Sequence, residues 1–180
     1  MTLKTFYFNP YRECTYLLSD EAGCTIVIDA GIYEDHEKKR FAEYVKQHNL
    51  TLVALLITHT HPDHICGIEW LQEEYNLSPI IQPIAGPLTI PTMNITIEVI
   101  ATPGHKEDAV CYYLPTEEML FTGDTLFQES IGRTDLPGGD VGTLIHSLKQ
   151  LVSLPEETQV YPGHGYPTSI AHEKQYNPYL

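Results

Sequence analysis

The stretch Leu52–His64, LVALLITHTHPDH, constrains this chain more than any other. Its apolar run, Leu52–Ile57, predicts a buried strand. The run stops at Thr58. Five of the next six residues then carry donor or charged side chains: His59, Thr60, His61, Asp63 and His64, with Pro62 stiffening the turn. A loop at the end of a rigid strand can hold side chains to the tolerance that a metal ion needs. Alternation sends His59 and His61 to one side of the chain. Asp63 and His64 follow a turn later, and Asp63 suits the N-cap of a helix beginning there. A lone histidine would read as a satisfied turn residue, and an HxH alone would be weak. Three imidazoles and a carboxylate within six residues read as metal ligands.

The same design recurs along the chain. Strands are predicted at Thr5–Phe8, Thr15–Ser19 and Thr25–Asp29, followed by an amphipathic helix at Glu34–His48. A second helix is expected over Asp63–Tyr75. Ser78–Met93 reads as proline-rich turns. Strands follow at Ile95–Ala101, Ala109–Leu114 and Met119–Thr122. A helix at Asp140–Leu154 has Asp140 as its cap and Val141, Leu144, Ile145, Leu148 and Val152 facing inward. The last strand is Gln159–Tyr161. Three of these strands end in a turn that presents a side chain fit for a metal: His105 after Thr102-Pro103-Gly104, Asp124 after Gly123, and His164 after Pro162-Gly163. Each alone has a bland reading as a turn residue. Together with HxHxDH they exceed what one tetrahedral ion can use and suit two. Asp29 reads equally as a carboxylate orienting a ligand or as a turn residue. His36, His48 and His146 read as surface histidines. Strand groups alternating with helices in two halves predict an α/β protein: an αββα sandwich of two mixed sheets with helices on the outer faces.

Composition narrows the partners. The 180 residues fit a single domain with a sizeable core. Ten Lys and Arg against 24 Asp and Glu, a formal net charge of −14, argue against nucleic acid and against anionic membranes. The start, MTLKTFYF, reads as no signal peptide, and no stretch is apolar enough to span a bilayer. Cys14, Cys24, Cys66 and Cys111 form no CxxC pair and read as reduced thiols, so a cytoplasmic location is expected.

THTHPDH resembles the signature of the metallo-β-lactamase superfamily of hydrolases. GDTLF, followed by GRTDLPGGD and the C-terminal EKQYNPYL, is similar to the compact glyoxalase II-like bacterial enzymes of that superfamily, and the resemblance covers nearly the whole chain. It implies the metallo-β-lactamase fold and two divalent ions. His59, His61 and His105 would hold one. Asp63, His64 and His164 would hold the other, with Asp124 bridging. Zinc is the first expectation, and iron or manganese suits the same donors. A metal-bridging hydroxide would then hydrolyse a small-molecule thioester of the hydroxyacylglutathione type, with Asp63 orienting the hydroxide or taking its proton. Zinc β-lactamases with HxHxDH usually carry a cysteine where this chain has Asp124, and flavodiiron enzymes a glutamate where it has His61. Arg133 falls near a basic residue that contacts glutathione in that family; its other reading is a pair with Asp135. The chain departs from the family at three places: it ends at Leu180 without a helical C-terminal domain, Leu77–Asn94 is short, and Lys106-Glu107-Asp108 follows His105 where Thr-Pro-Gly is common. These bear on the thiol portion of the substrate rather than on the ligands. The second reading, also by resemblance, is a persulfide dioxygenase with one Fe(II) on His59, His105 and Asp124. A non-catalytic metal-binding module is the third. Oligomeric state is left open.

Overall fold

Apolar strands punctuated by glycine, asparagine and proline turns build two large sheets and a separate two-stranded hairpin. A computed structural model describing residues 1–180 divides the chain into two compact units: Met1–Ile81 with Ile90–Ile95, and Gln82–Thr89 with Thr96–Leu180.

In the first unit, β1 (Thr2–Phe8), β2 (Glu13–Ser19), β3 (Cys24–Ile28), β4 (Thr51–Leu56) and β5 (Pro79–Ile80) form one sheet in that order. β1, β2 and β3 pair antiparallel, while β3, β4 and β5 pair parallel, so the sheet is mixed. α1 (Asp35–Gln47) connects β3 to β4, and the short α2 (Pro62–Ile65) and α3 (Ile68–Tyr75) connect β4 to β5. Phe6, Phe8, Leu17, Val27 and Leu55 pack with Phe41, Val45 and Leu71 from the helices. Phe6 stacks on Phe8 at 5.2 Å between centroids, and Phe41 tilts against Phe6 at 5.5 Å. Each such aromatic pair adds about 0.5–1.5 kcal/mol beyond area burial. β2 is buried along its whole length, which makes its one carboxylate, Glu13, conspicuous.

The continuous helix expected over Asp63–Tyr75 is broken at Cys66-Gly67. The Gly67 amide donates to the Ala30 carbonyl at 2.8 Å, and a Cβ there would lie 2.9–3.0 Å from Ile32 and Ala30 atoms. Close packing on the Ala30–Ile32 turn ends the first helical piece. Nor is Asp63 the cap: His61 occupies that position, with Pro62 as the first helical residue.

In the second unit, the six-stranded sheet contains β6 (Gly86–Ile90), β7 (Ile95–Ala101), β8 (Val110–Leu114), β9 (Met119–Gly123), β12 (Gln159–Pro162) and β13 (Thr168–Ser169). Their spatial order is β13-β12-β9-β8-β7-β6. β10 (Leu126–Phe127) and β11 (Ser130–Ile131) form a separate small hairpin. α4 (Val141–Leu151) and α5 (Ile170–Tyr176) complete the unit. Leu144, Leu148 and Leu151 pack with Cys111, Leu120 and Val160. Asp140 caps α4 as expected, accepting from the Thr143 amide at 2.7 Å. Val141 does not face inward: it is 57% exposed, and Ser147 and Leu151 take the buried face with Leu144 and Leu148. β5 and β6 lie in the proline-rich segment where the sequence predicts turns, and α5 follows the last predicted strand.

Candidate metal centre

Four predicted ligands stand on the first unit, and the end of β4 is pinned from both sides to carry them. The Ile57 amide donates to the Ile80 carbonyl at 3.1 Å, and the Thr58 amide to Asp29 Oδ1 at 2.7 Å. Beyond this point His59 Nε2 and His61 Nδ1 face each other at 3.1 Å. Two nitrogens bound to one tetrahedral ion at Zn–N near 2.0–2.1 Å are about 3.3 Å apart. The pair therefore fits a shared cation.

Asp29 decides which nitrogen each imidazole offers. Its Oδ2 accepts from His64 Nδ1 at 2.9 Å and from the Thr58 hydroxyl at 2.8 Å. That hydroxyl, having given its proton to Asp29, accepts from His59 Nδ1 at 3.1 Å. The network assigns the protons to both Nδ1 atoms and leaves the Nε2 lone pairs of His59 and His64 for a metal. His64 Nε2 faces Asp63 Oδ2 at 3.7 Å. Both readings of Asp29 hold: it sits in the left-handed region at φ 60°, and it orients two of the predicted ligands, His64 directly and His59 through Thr58.

Four further residues shape this loop. Asn9, in the β1–β2 turn, donates through Nδ2 to the carbonyls of Asp63 at 2.9 Å and Gly31 at 3.1 Å. Glu13, completely buried, accepts from Thr15 Oγ1 at 2.8 Å through Oε2, while its Oε1 lies 3.9 Å from His64 Nδ1. Burial pushes its carboxyl well above the usual value, against the lowering pull of His64 and with Asp29 raising it further. Gly31 is the only residue that fits there, since a Cβ would meet Glu13 Oε2 at 2.0 Å. Cys66 packs its Sγ on the carbonyls of Ala30 and Asp63, each at 3.9 Å, and burial pushes its thiol up to about 11. Sequence reasoning missed Asn9 and Glu13. The one available signal was for Glu13, a lone carboxylate opening an apolar strand; Asn9, a turn residue at φ 51°, carries none.

The second unit carries the other three. β9 and β12 run parallel with Gly123 opposite Pro162, so the residues just past each strand end emerge side by side. The Gly163 amide donates to the Gly123 carbonyl at 2.8 Å and locks that register. Asp124 Oδ2 then lies 3.6 Å from His164 Nε2 and 3.5 Å from His105 Nε2. Two donors on one tetrahedral ion are separated by about 3.4 Å at ordinary bond lengths. One carboxylate oxygen thus faces two imidazoles at ligand-sharing distance. His105 Nδ1 donates to the Arg133 carbonyl at 2.8 Å, which again leaves Nε2 for a metal.

That bond gives the GRTD stretch a part that its sequence did not announce. Arg133 contributes its main chain to the His105 imidazole. Its guanidinium forms a two-bond pair with Asp135, both at 2.7 Å, and holds that exposed carboxyl down at about 2. Gly132 is required because a Cβ would strike the Asp124 carbonyl at 1.8 Å and crowd His105 Nδ1 at 3.0 Å. Gly104, at φ 132°, has no room for a Cβ against the α4 backbone at Leu144. The Asp140 amide also donates to its carbonyl at 2.8 Å.

Nitrogen and carboxylate donors in tautomers fixed by their neighbours are the set expected for Zn, Fe or Mn. The profile of the metallo-beta-lactamase superfamily matches residues 13–96 and 88–164. A probable metallo-hydrolase of Streptococcus pyogenes serotype M6 is 34% identical, over 92% of this chain and 84% of its own length. A hydroxyacylglutathione hydrolase of Francisella philomiragia is 35% identical, over 89% of this chain and 66% of its own length. Among solved structures, BLEG-1 B3 metallo-beta-lactamase superposes with a TM-score of 0.93 at 30% identity, covering 99% of both chains. TTHA1623 in a di-iron-bound form gives 0.87 at 30% identity, covering 98% of this chain and all of that one. ETHE1 from Myxococcus xanthus gives 0.86 at 32%, covering 99% and 84%. The α/β fold expected from the sequence is the fold of these neighbours.

Proposed function

The chain belongs to the metallo-beta-lactamase superfamily, and from that premise we propose that it is a dinuclear metal-dependent hydrolase of a thioester or similarly activated acyl compound. The observation that carries this reading is the single oxygen of Asp124 facing Nε2 of both His105 and His164, as a carboxylate shared by two ions would. The resemblance assigns His59, His61 and His105 to one ion and Asp63, His64 and His164 to the other. When bound, two divalent ions lower the pKa of water toward neutrality and polarise an acyl carbonyl.

The side chains supply the rest. Asp63 takes the proton of the attacking water, and the Asn9 bond to its carbonyl keeps it in place. Asp29, through His64 and Thr58, keeps two imidazoles from turning their protons toward the reaction. The acyl–sulfur bond breaks, the acid keeps the water oxygen, and the electron pair leaves on sulfur. A thiol with pKa near 8.5 leaves as thiolate without an obligatory proton donor. No protein nucleophile is needed, and the buried Cys111 thiol, pushed up to about 12 by burial, could not serve as one.

Metal analysis of the purified protein, combined with hydrolysis of S-lactoylglutathione, tests the reading. Two ions per chain and a thioesterase activity abolished by chelation are expected. One iron per chain with oxygen consumption on a persulfide would instead support the dioxygenase reading. Two ions without thioester hydrolysis would retain the centre and exclude this substrate class.

A further inference from the structure

A groove of about 420 Å³ lies in the first unit, formed by the edge strand β1 and α1. We propose that it binds a small organic anion bearing a flat ring, with the negative group held by Lys4 and Arg40. The two cations are placed in advance. Lys4 Nζ sits 5.4 Å from the Phe6 centroid and 5.3 Å from that of Tyr44. The Arg40 guanidinium lies 5.6 Å from Phe6 and 5.1 Å from Phe8, and its Nη2 donates to the Tyr7 carbonyl at 2.8 Å. Both charges therefore flank one buried ring, and little side-chain freedom remains to be lost on binding.

The electrostatics are local. In a chain of net charge −14 an anion finds attraction only where cations are left uncommitted. Lys38, Lys39, Lys106, Arg133 and Lys174 are each engaged by a carboxylate. Lys4 and Arg40 have no carboxylate partner, although 24 acidic residues are present. β1 adds a main-chain donor. The Tyr7 carbonyl points away from β2, so alternation turns the Thr5 amide to the same open side. Tyr44 also lines the groove and offers a ring for a flat ligand to lie against. The volume falls in the range of small-molecule sites. Glu43 lines the groove as well and opposes an anion; its ammonium partner Lys39 is at 3.9 Å.

Two probes, phenyl phosphate and inorganic phosphate, are titrated into the metal-loaded full chain and followed through the backbone amide signals of Thr5, Arg40 and Tyr44. Saturable shifts at these amides are expected, tighter for phenyl phosphate. Lys4→Gln and Arg40→Gln should each weaken binding about two- to fivefold, the value of exposed charge pairs, and Glu43→Gln should tighten it. Shifts confined to residues around Asp63 or Asp124 would place the anion at the metal centre and overturn the proposal. So would affinity unchanged in the Lys4→Gln/Arg40→Gln double variant, or no saturation by about 20 mM, beyond the weak millimolar range. Equal affinity for the two probes would overturn the claim that a ring is recognised.

Discussion

Asp29→Asn should cost the chain metal while leaving its fold. The substitution preserves shape, and asparagine tolerates the φ of 60° at this position. What changes is the number of acceptors. Asp29 accepts from the Thr58 amide at 2.7 Å, the Thr58 hydroxyl at 2.8 Å and His64 Nδ1 at 2.9 Å. Asparagine offers one oxygen. If that oxygen keeps the Thr58 amide, the NH2 group faces the hydroxyl and the imidazole. The hydroxyl can rotate and accept. The imidazole must present a lone pair at Nδ1, which moves its proton to Nε2, the atom meant for the metal. Flipping the amide instead sets NH2 against the Thr58 amide and leaves buried donors unmatched. Either way a charge-assisted bond of about 1.5–3 kcal/mol is lost. At 1.4 kcal/mol per tenfold, the ion held through His64 should bind about 10–100-fold more weakly. Competition of the metal-free protein with a chromophoric chelator for Co(II) measures this directly. On the proposed dinuclear centre, we expect stoichiometry to fall from two toward one at limiting metal, with a single cooperative unfolding transition in urea retained at a somewhat lower midpoint. Two ions bound with unchanged affinity would refute the argument that Asp29 fixes the His64 tautomer.

Three other perturbations follow from the same geometry. Gly132→Ala places a Cβ 1.8 Å from the Asp124 carbonyl, so the backbone must move; turnover should drop at least about tenfold with loss of bound metal, and unchanged metal content would count against the close approach. Glu13→Gln tests a pH dependence in metal-free protein: the folded carboxyl titrates above its unfolded value near 4.5, so the wild type loses stability as pH rises through that window while the variant does not. Urea unfolding at several pH values should show the variant gaining on wild type from about pH 5 upward, and a constant difference would contradict the raised pKa. Arg133→Ala should leave metal content unaltered and stability within about 0.5 kcal/mol, because His105 uses the Arg133 carbonyl and the guanidinium is in an exposed pair. A rise in KM alone would show that the side chain touches substrate.

The contrast between Asp63 and Asn9 shows which parts of such a centre a sequence reveals. Asp63 stands out as a candidate because a metal needs its donors clustered, and HxHxDH places four possible donors in six residues after an apolar strand. Asp124 and His164 were legible as strand-end residues, but their adjacency rests on a parallel register, Gly123 opposite Pro162, that no local pattern encodes. Asn9 lies 54 positions from the carbonyl it holds, so nothing near it in the chain marks it. The helix expected at Asp63–Tyr75 breaks for the same reason. Its residues have good helical spacing, and the break at Gly67 comes from packing on Ala30 and Ile32, more than thirty positions away. Arg133 is the sharpest case. A motif draws attention to its guanidinium, yet the contact that orients His105 is made by a carbonyl that every residue possesses. What selects the local sequence there is Gly132, by the side chain it lacks. Candidate ligands are thus proposed from side chains alone. Ligand orientation is carried largely by main chain brought from distant positions, and only the fold reveals it.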